Sequence, residues 1–171
     1  MKIILSEKPH KILKEKKKLE EHLKVKIKIL GKEIRVEGEA EDEYIAEKVI
    51  DALNLGFHIH AALMIKEEDF MLEILNIKKY TKRTDLQTIR ARIIGTKGKT
   101  LKTLTQLTKC EFAVNENLVG IIGDAEHIYF AQQAITSLIK GSKQANVYAY
   151  LEKHQIEPIF DLGLKIKEKK E

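Results

Sequence analysis

Apolar and polar residues alternate along Val25-Lys26-Ile27-Lys28-Ile29, the period of a half-buried strand. Gly31-Lys32 makes a tight turn, and Ile34-Arg35-Val36 returns as a hairpin partner. From Ala40 the period lengthens: Tyr44, Ile45, Val49, Ile50 and Leu53 form a helical stripe ending before Gly56, where a helix terminator is expected. The same pattern returns 85 residues on without a gap: Gly38, Ala40, Tyr44, Ala46, Ile50, Leu53 and Gly56 fall on Gly123, Ala125, Tyr129, Ala131, Ile135, Leu138 and Gly141. Val25, Ile27 and Ile29 of the strand fall on Cys110, Phe112 and Val114. A repeat of this kind predicts two related domains.

The second copy carries a longer lead-in. Phe70 to Leu75 reads as a strand, and Thr84-Asp85-Leu86-Gln87 resembles a capping box opening a helix to Ile94. Gly95 and Gly98 interrupt it, and a second helix runs from Lys99 to Thr108 with Leu101, Leu104 and Leu107 inward. A hairpin follows, Glu111–Val114 and Val119–Ile122 across Asn115-Glu116-Asn117, then a helix from Ala125 to Lys140. In the first copy the offset puts His10-Lys11-Ile12-Leu13 where Gly95-Thr96-Lys97-Gly98 stands, so that copy has no glycine loop. It is expected to hold one strand, Ile3 to Leu5, and one helix from Pro9 to about His22. The predicted class is α+β, with two three-stranded antiparallel sheets packed on helices. The expected divisions are 1–57, a linker 58–69, 70–154 with a C-terminal helix, and a charged tail 155–171.

Charge sharpens this picture. The chain has 171 residues, 43% apolar and net +5, enough to bury a real core. Ten basic residues lie between Lys78 and Lys109 against the single acid Asp85, whereas Glu37, Glu39, Glu41, Asp42, Glu43 and Glu47 form an acidic block. Such segregation points to one surface for polyanions and another that repels them. Lys14 to Lys18 is read as a solvated helix face, with phosphate contact the alternative. One cysteine, Cys110, allows no intrachain disulfide and is read as a core filler. No Cys/His cluster has zinc-ligand spacing, and the opening apolar run is too short for a signal peptide. A cytoplasmic, membrane-free protein with no cofactor, no metal and no catalytic residues is the expectation.

Residues Ile94 to Val114 read I-G-T-K-G-K-T-L-K-T-L-T-Q-L-T-K-C-E-F-A-V. Glycine lacks a Cβ, so Gly95 and Gly98 can take positive φ and let a phosphate approach the main chain. Amides of the following helix's first turn lack intrahelical partners and suit an anion. Lys97, Lys99 and Lys102 add charge, and Ile94, Leu101 and Phe112 offer an apolar floor for bases. The tract resembles the K-homology (KH) signature, and its element order resembles the type I form, in which the GxxG loop clamps about four nucleotides. The resemblance implies two tandem type I KH-like domains, the first truncated, and an RNA site of Arg92, Ile94, Gly95, Thr96, Lys97, Gly98, Lys99, Leu101, Lys102 and Phe112. Lys109 departs from the glycine usual at that helix end.

Longer tracts narrow the resemblance: Asp69-Phe70-Met71-Leu72-Glu73-Ile74, Ile77-Lys78-Lys79-Tyr80, Ala91 through Thr100, Val119 through Asp124 and Val147 through Glu152. They resemble the archaeal two-KH ribosome-assembly family related to the eukaryotic Partner of Nob and Krr proteins. Archaeal members usually keep GxxG in the first domain, and this chain does not. The resemblance implies binding of single-stranded small-subunit ribosomal RNA near its 3′ end, a PIN-domain endonuclease partner, and the α subunit of translation initiation factor two. Two other readings stand beside it: a KH module of an exosome or regulatory complex, which uses the same loop, and a protein-interaction scaffold whose GxxG is vestigial.

Overall fold

The alternating tracts become strands and the longer-period tracts helices in the computed structural model, which describes residues 1–155. The order is β1 (Lys2–Leu5), α1 (Pro9–Leu23), β2 (Lys26–Leu30), β3 (Glu33–Glu37), α2 (Ala40–Leu55) and α3 (Ile59–Leu63). There follow β4 (Phe70–Asn76), α4 (Leu86–Ile94), α5 (Lys99–Thr108), β5 (Glu111–Asn115), β6 (Leu118–Asp124), α6 (Ala125–Ile139) and α7 (Gln144–Lys153). The expected charged tail lies, from residue 156, outside the described residues.

Both sheets are three-stranded and antiparallel, in the orders β1-β3-β2 and β4-β6-β5. Their hairpins share one register: Ile27 faces Val36 as Phe112 faces Ile121, and Ile29 faces Ile34 as Val114 faces Val119. A side-chain period of two makes register a strict test, because a slip of one residue would turn every apolar group outward. The helix before each hairpin also ends alike, on Lys24 (φ 55°) and Lys109 (φ 57°) in left-handed geometry. Lysine thus accepts the conformation for which glycine is the usual choice, at a cost of roughly 1 kcal/mol each.

Three expectations need correction. Tyr44, counted on the α2 stripe, is 55% exposed. Lys2 and Lys48 place their Nζ atoms 5.4 and 5.6 Å from its ring centre, and Ala46, Val49, Ile50 and Leu53 form the buried stripe instead. The capping box at Thr84 does not form. The helix starts one residue later, with Asp85 at the N-cap making no side-chain cap, because Arg83 holds its carboxylate through Nε (3.0 Å) and Nη2 (2.8 Å). Residues 58–69, read as a linker, fold into α3 and a 3-10 turn, Met64–Lys66, with Ile59, Ala62 and Ile65 buried. Lys66 donates to the His22 carbonyl at the end of α1 (2.7 Å), fastening that segment to the first sheet's helices.

Two cores result. The first gathers α1, α2, α3 and the inner face of β1–β3, and it also takes in Ala113 and Ile122 of the second sheet. At the junction, Leu55 and Phe57 lie so close over Gly120 that a Cβ there would meet Phe57 Cε2 at 2.7 Å. The second core packs α4, α5, α6 and α7 on the other face of β4–β6. The two halves are therefore joined by shared apolar burial, the dominant favourable term in folding. No helix among the described residues is long and apolar enough to cross a membrane.

Candidate nucleic-acid interface

α4 ends at Gly95, whose N–H donates to the Ala91 carbonyl (2.8 Å), and Gly98 N–H returns to the Gly95 carbonyl (3.2 Å). The loop between, Thr96–Gly98, is a tight turn closed by that bond, with Lys97 in left-handed geometry at φ 53°, ψ 31°. The two glycines answer to different constraints. Gly95 sits at φ 74°, ψ 174°, backbone that is essentially glycine-only. A Cβ there would lie 2.2 Å from Thr100 Oγ1 and 2.7 Å from Thr100 N. Gly98 is left-handed at φ 74°, ψ 15° with nothing within 4 Å of a Cβ. The first is fixed by sterics and backbone, the second by backbone alone.

Gly98 is the N-cap of α5, and a glycine brings no side chain to cap it. The first turn of α5 carries no acid, so no side-chain charge neutralises the positive end of the helix dipole, although the Lys99 N–H already donates to the Thr96 carbonyl. At the start of α6, by contrast, Asp124 accepts from His127 N–H (2.9 Å) and fills the equivalent place. Thr96, Lys97, Lys99 and Lys102 are exposed, and none of the three lysines enters an ion pair among the described residues. An open helix N-terminus with unpaired cations binds a phosphate oxygen well.

Leu101 and Phe112 are half-buried against the second core, and Ile94 is half-buried beside the loop. Phe112 lies on β5, an edge strand, and also lines a recess of 210 Å³ with Leu55, Phe57 and His58. Arg92, Gly95, Thr96 and Lys99 meet in a separate groove of 440 Å³, completed by Thr88, Ala91, Thr100, Gln144 and Tyr148. Gln144 and Tyr148, on α7, went unmarked in the sequence. Tyr148 fell in a tract that carried family resemblance and Gln144 just before it, but nothing local tied either to a loop some fifty residues earlier.

Arg92 departs from its expected role. Its guanidinium donates to the Leu138 carbonyl (3.1 Å) and to the Ser142 carbonyl, where α6 runs out of intrahelical partners. This contact spans 46 and 50 residues and occupies guanidinium donors that the sequence reading gave to phosphate. Replacing Arg92 with Ala should cost about 1–3 kcal/mol of stability, seen in thermal unfolding, and leave the salt dependence of RNA binding unchanged. A flatter salt dependence would return Arg92 to the interface.

Cys110 is buried, and burial pushes its thiol up to about 12. The thiolate is the reactive form, so near neutral pH this is a packing residue that also lies against Gly123. Because the folded value stands above the unfolded 9.0, its contribution to stability is whole below pH 9 and declines as pH rises toward 12. Iodoacetamide at pH 8 should leave Cys110 unmodified by mass spectrometry until denaturant is added; rapid labelling of the folded protein would contradict this. No group of His, Cys, Asp and Glu that could hold a metal is present among the described residues.

A helix, a two-glycine loop, a second helix with an open N-terminus and a three-stranded antiparallel sheet together define a KH-type module. Residues 71–156 match the eukaryotic-type KH domain (KH domain type I) in its PNO1 second-domain form, and the chain belongs to that family. RNA-binding protein pno1 of Drosophila pseudoobscura is 34% identical over 142 residues, covering 77% of this chain and 59% of that protein. Pre-rRNA-processing protein PNO1 of Saccharomyces cerevisiae is 27% identical over 144 residues, covering 78% of this chain and 53% of that protein. The chain thus spans between half and three-fifths of the length of these curated relatives. Among solved structures, Dim2p from Pyrococcus horikoshii superposes with a TM-score of 0.81 at 28% identity, over 89% of this chain and 98% of that one. A chain of the a/eIF2alpha–aDim2p–rRNA complex from the same organism gives 0.82 at 27% identity, over 90% and 93%.

Proposed function

We propose that this chain is a single-stranded RNA-binding factor of small-subunit ribosome biogenesis, gripping ribosomal RNA near its 3′ end through Gly95-Thr96-Lys97-Gly98. The observation that carries the reading is the α5 N-terminus, opened by Gly98 and flanked by Lys97, Lys99 and Lys102, within a PNO1-related KH fold. The loop holds phosphates, Leu101 and Phe112 support bases, and the protein places and protects RNA with no bond chemistry of its own. The site is Ile94 through Lys99 with Leu101, Lys102 and Phe112; Arg92 buttresses it.

We read the chain as two tandem type I KH-like units, 1–57 and 70–154, the first truncated by loss of the α4 helix and its loop. The common hairpin register and strand order support this. The proposed partners are small-subunit ribosomal RNA and the α subunit of translation initiation factor two, in keeping with the composition of the complex that contains the archaeal relative. A PIN-domain endonuclease is proposed on the resemblance to Partner of Nob proteins, and a cytoplasmic site of action follows from the biogenesis role. Crosslinking in cells with sequencing of the bound RNA is the test. Enrichment of small-subunit ribosomal RNA 3′-end fragments is expected, and their absence would overturn the assignment.

A further inference from the structure

The first unit lacks the glycine loop, yet the repeat register carries three lysines across. Lys14, Lys17 and Lys24 stand 85 residues before Lys99, Lys102 and Lys109. α1 occupies the place of α5, ahead of a hairpin of identical register and ending on the same left-handed lysine. Lys14 and Lys17 thus hold the positions on α1 that Lys99 and Lys102 hold on α5. With Lys11 they form a row at three-residue spacing on one helix face. All three are exposed and enter no ion pair among the described residues, whereas on the same helix Lys16 pairs with Glu20 (3.8 Å) and Lys18 with Glu15 (3.5 Å).

The neighbouring groups decide what this face can bind. In the first unit Glu20 Oε1 accepts from Ile27 N–H at 2.8 Å, occupying the outer edge of β2 with a carboxylate. The matching positions in the second unit are Thr105 and Phe112, and no side-chain hydrogen bond reaches Phe112 among the described residues. Lys16, half-buried beside Glu20, stands where Leu101 supplies apolar floor in the second unit. A base brought to this edge would find a negative charge on the main-chain donor and no apolar platform. Phosphates on the lysine row meet neither obstacle.

We propose that the α1 face of Lys11, Lys14 and Lys17 is a second RNA contact that holds the sugar-phosphate backbone and reads no bases. The inference rests on the loop reading above, because the strand must be captured there before its continuation can reach α1. The acidic block on α2 is already partly neutralised, since Lys2 pairs with Glu47.

The test is fluorescence anisotropy of the full chain on two labelled RNAs, one of about five nucleotides, near the span that a KH loop clamps, and one of about twenty. The first variant is Lys11→Gln/Lys14→Gln/Lys17→Gln, chosen because glutamine keeps helix propensity. A charge-matched control is Lys26→Gln/Lys28→Gln/Lys32→Gln. The α1 variant should bind the short RNA as the unaltered protein does and the long RNA about tenfold more weakly. Its slope of log K against log salt on the long RNA should fall by about 2, three phosphates at roughly 0.7 each. The loss should be equal for oligouridine and oligocytidine, while the control changes neither RNA. An equal loss in the control would overturn the proposal in favour of net charge alone. Unchanged long-RNA binding, while Thr96→Asp/Lys97→Asp loses both RNAs, would overturn it and leave the loop reading standing. If neither variant loses affinity, both readings fall.

Discussion

Changing Thr96 and Lys97 together to Asp should weaken single-stranded RNA binding on the order of 100-fold, about 2.8 kcal/mol. Both side chains are exposed on the turn ahead of the α5 N-terminus, and neither is in a core. Two carboxylates there would place negative charge at the proposed phosphate site, by the positive end of the α5 dipole, and would remove one of the three lysines. The fold should survive, because Asp tolerates the left-handed region that Lys97 occupies at φ 53°. Equilibrium binding by anisotropy, with circular dichroism to show an unchanged fold, measures the effect. Undiminished affinity would mean that the GxxG turn is a structural corner only.

Stability should separate the two glycines. Gly95→Ala is expected to cost roughly 3 kcal/mol or more, lowering the melting temperature by about 8 °C. Its Cβ would meet the Thr100 backbone nitrogen as well as the Thr100 hydroxyl, and only movement of the α4–α5 corner relieves both. Gly98→Ala should cost only about 1 kcal/mol, the left-handed penalty, because the space is open. The comparison is read from thermal unfolding of the two variants side by side. Equal small losses would show that Thr100 yields easily and that Gly95 is not the pivot of the corner.

What was legible in the sequence were the features whose cause is local. Alternation along 25–29 and the 85-residue repeat located both hairpins to within a residue or two, because strand period and register follow from side-chain alternation. The loop was legible because two glycines between helical patterns have a backbone reason to be there. Features made by distant chain segments were not. Arg92 looked like a phosphate contact from its place beside the loop, and only the fold brings the Leu138 and Ser142 carbonyls to it. The apolar residues of α3, Ile59 and Ala62, span a single turn, too short for a period to register, so a packed segment read as a linker. In each case a short-range pattern was outweighed by a partner that the sequence places far away or on another element.

The separation between the two halves gives the protein a physical asymmetry. The second unit offers an open helix end, three lysines in no ion pair among the described residues and an uncapped β5 edge; the first offers charge without a cradle. Ultraviolet crosslinking of the purified protein to single-stranded RNA, with the attachment sites located by mass spectrometry, tests that account most directly. Crosslinks dominated by the 94–102 segment and Phe112 are expected. Crosslinks confined to residues 1–57, with none around Gly95 to Lys102, would contradict it.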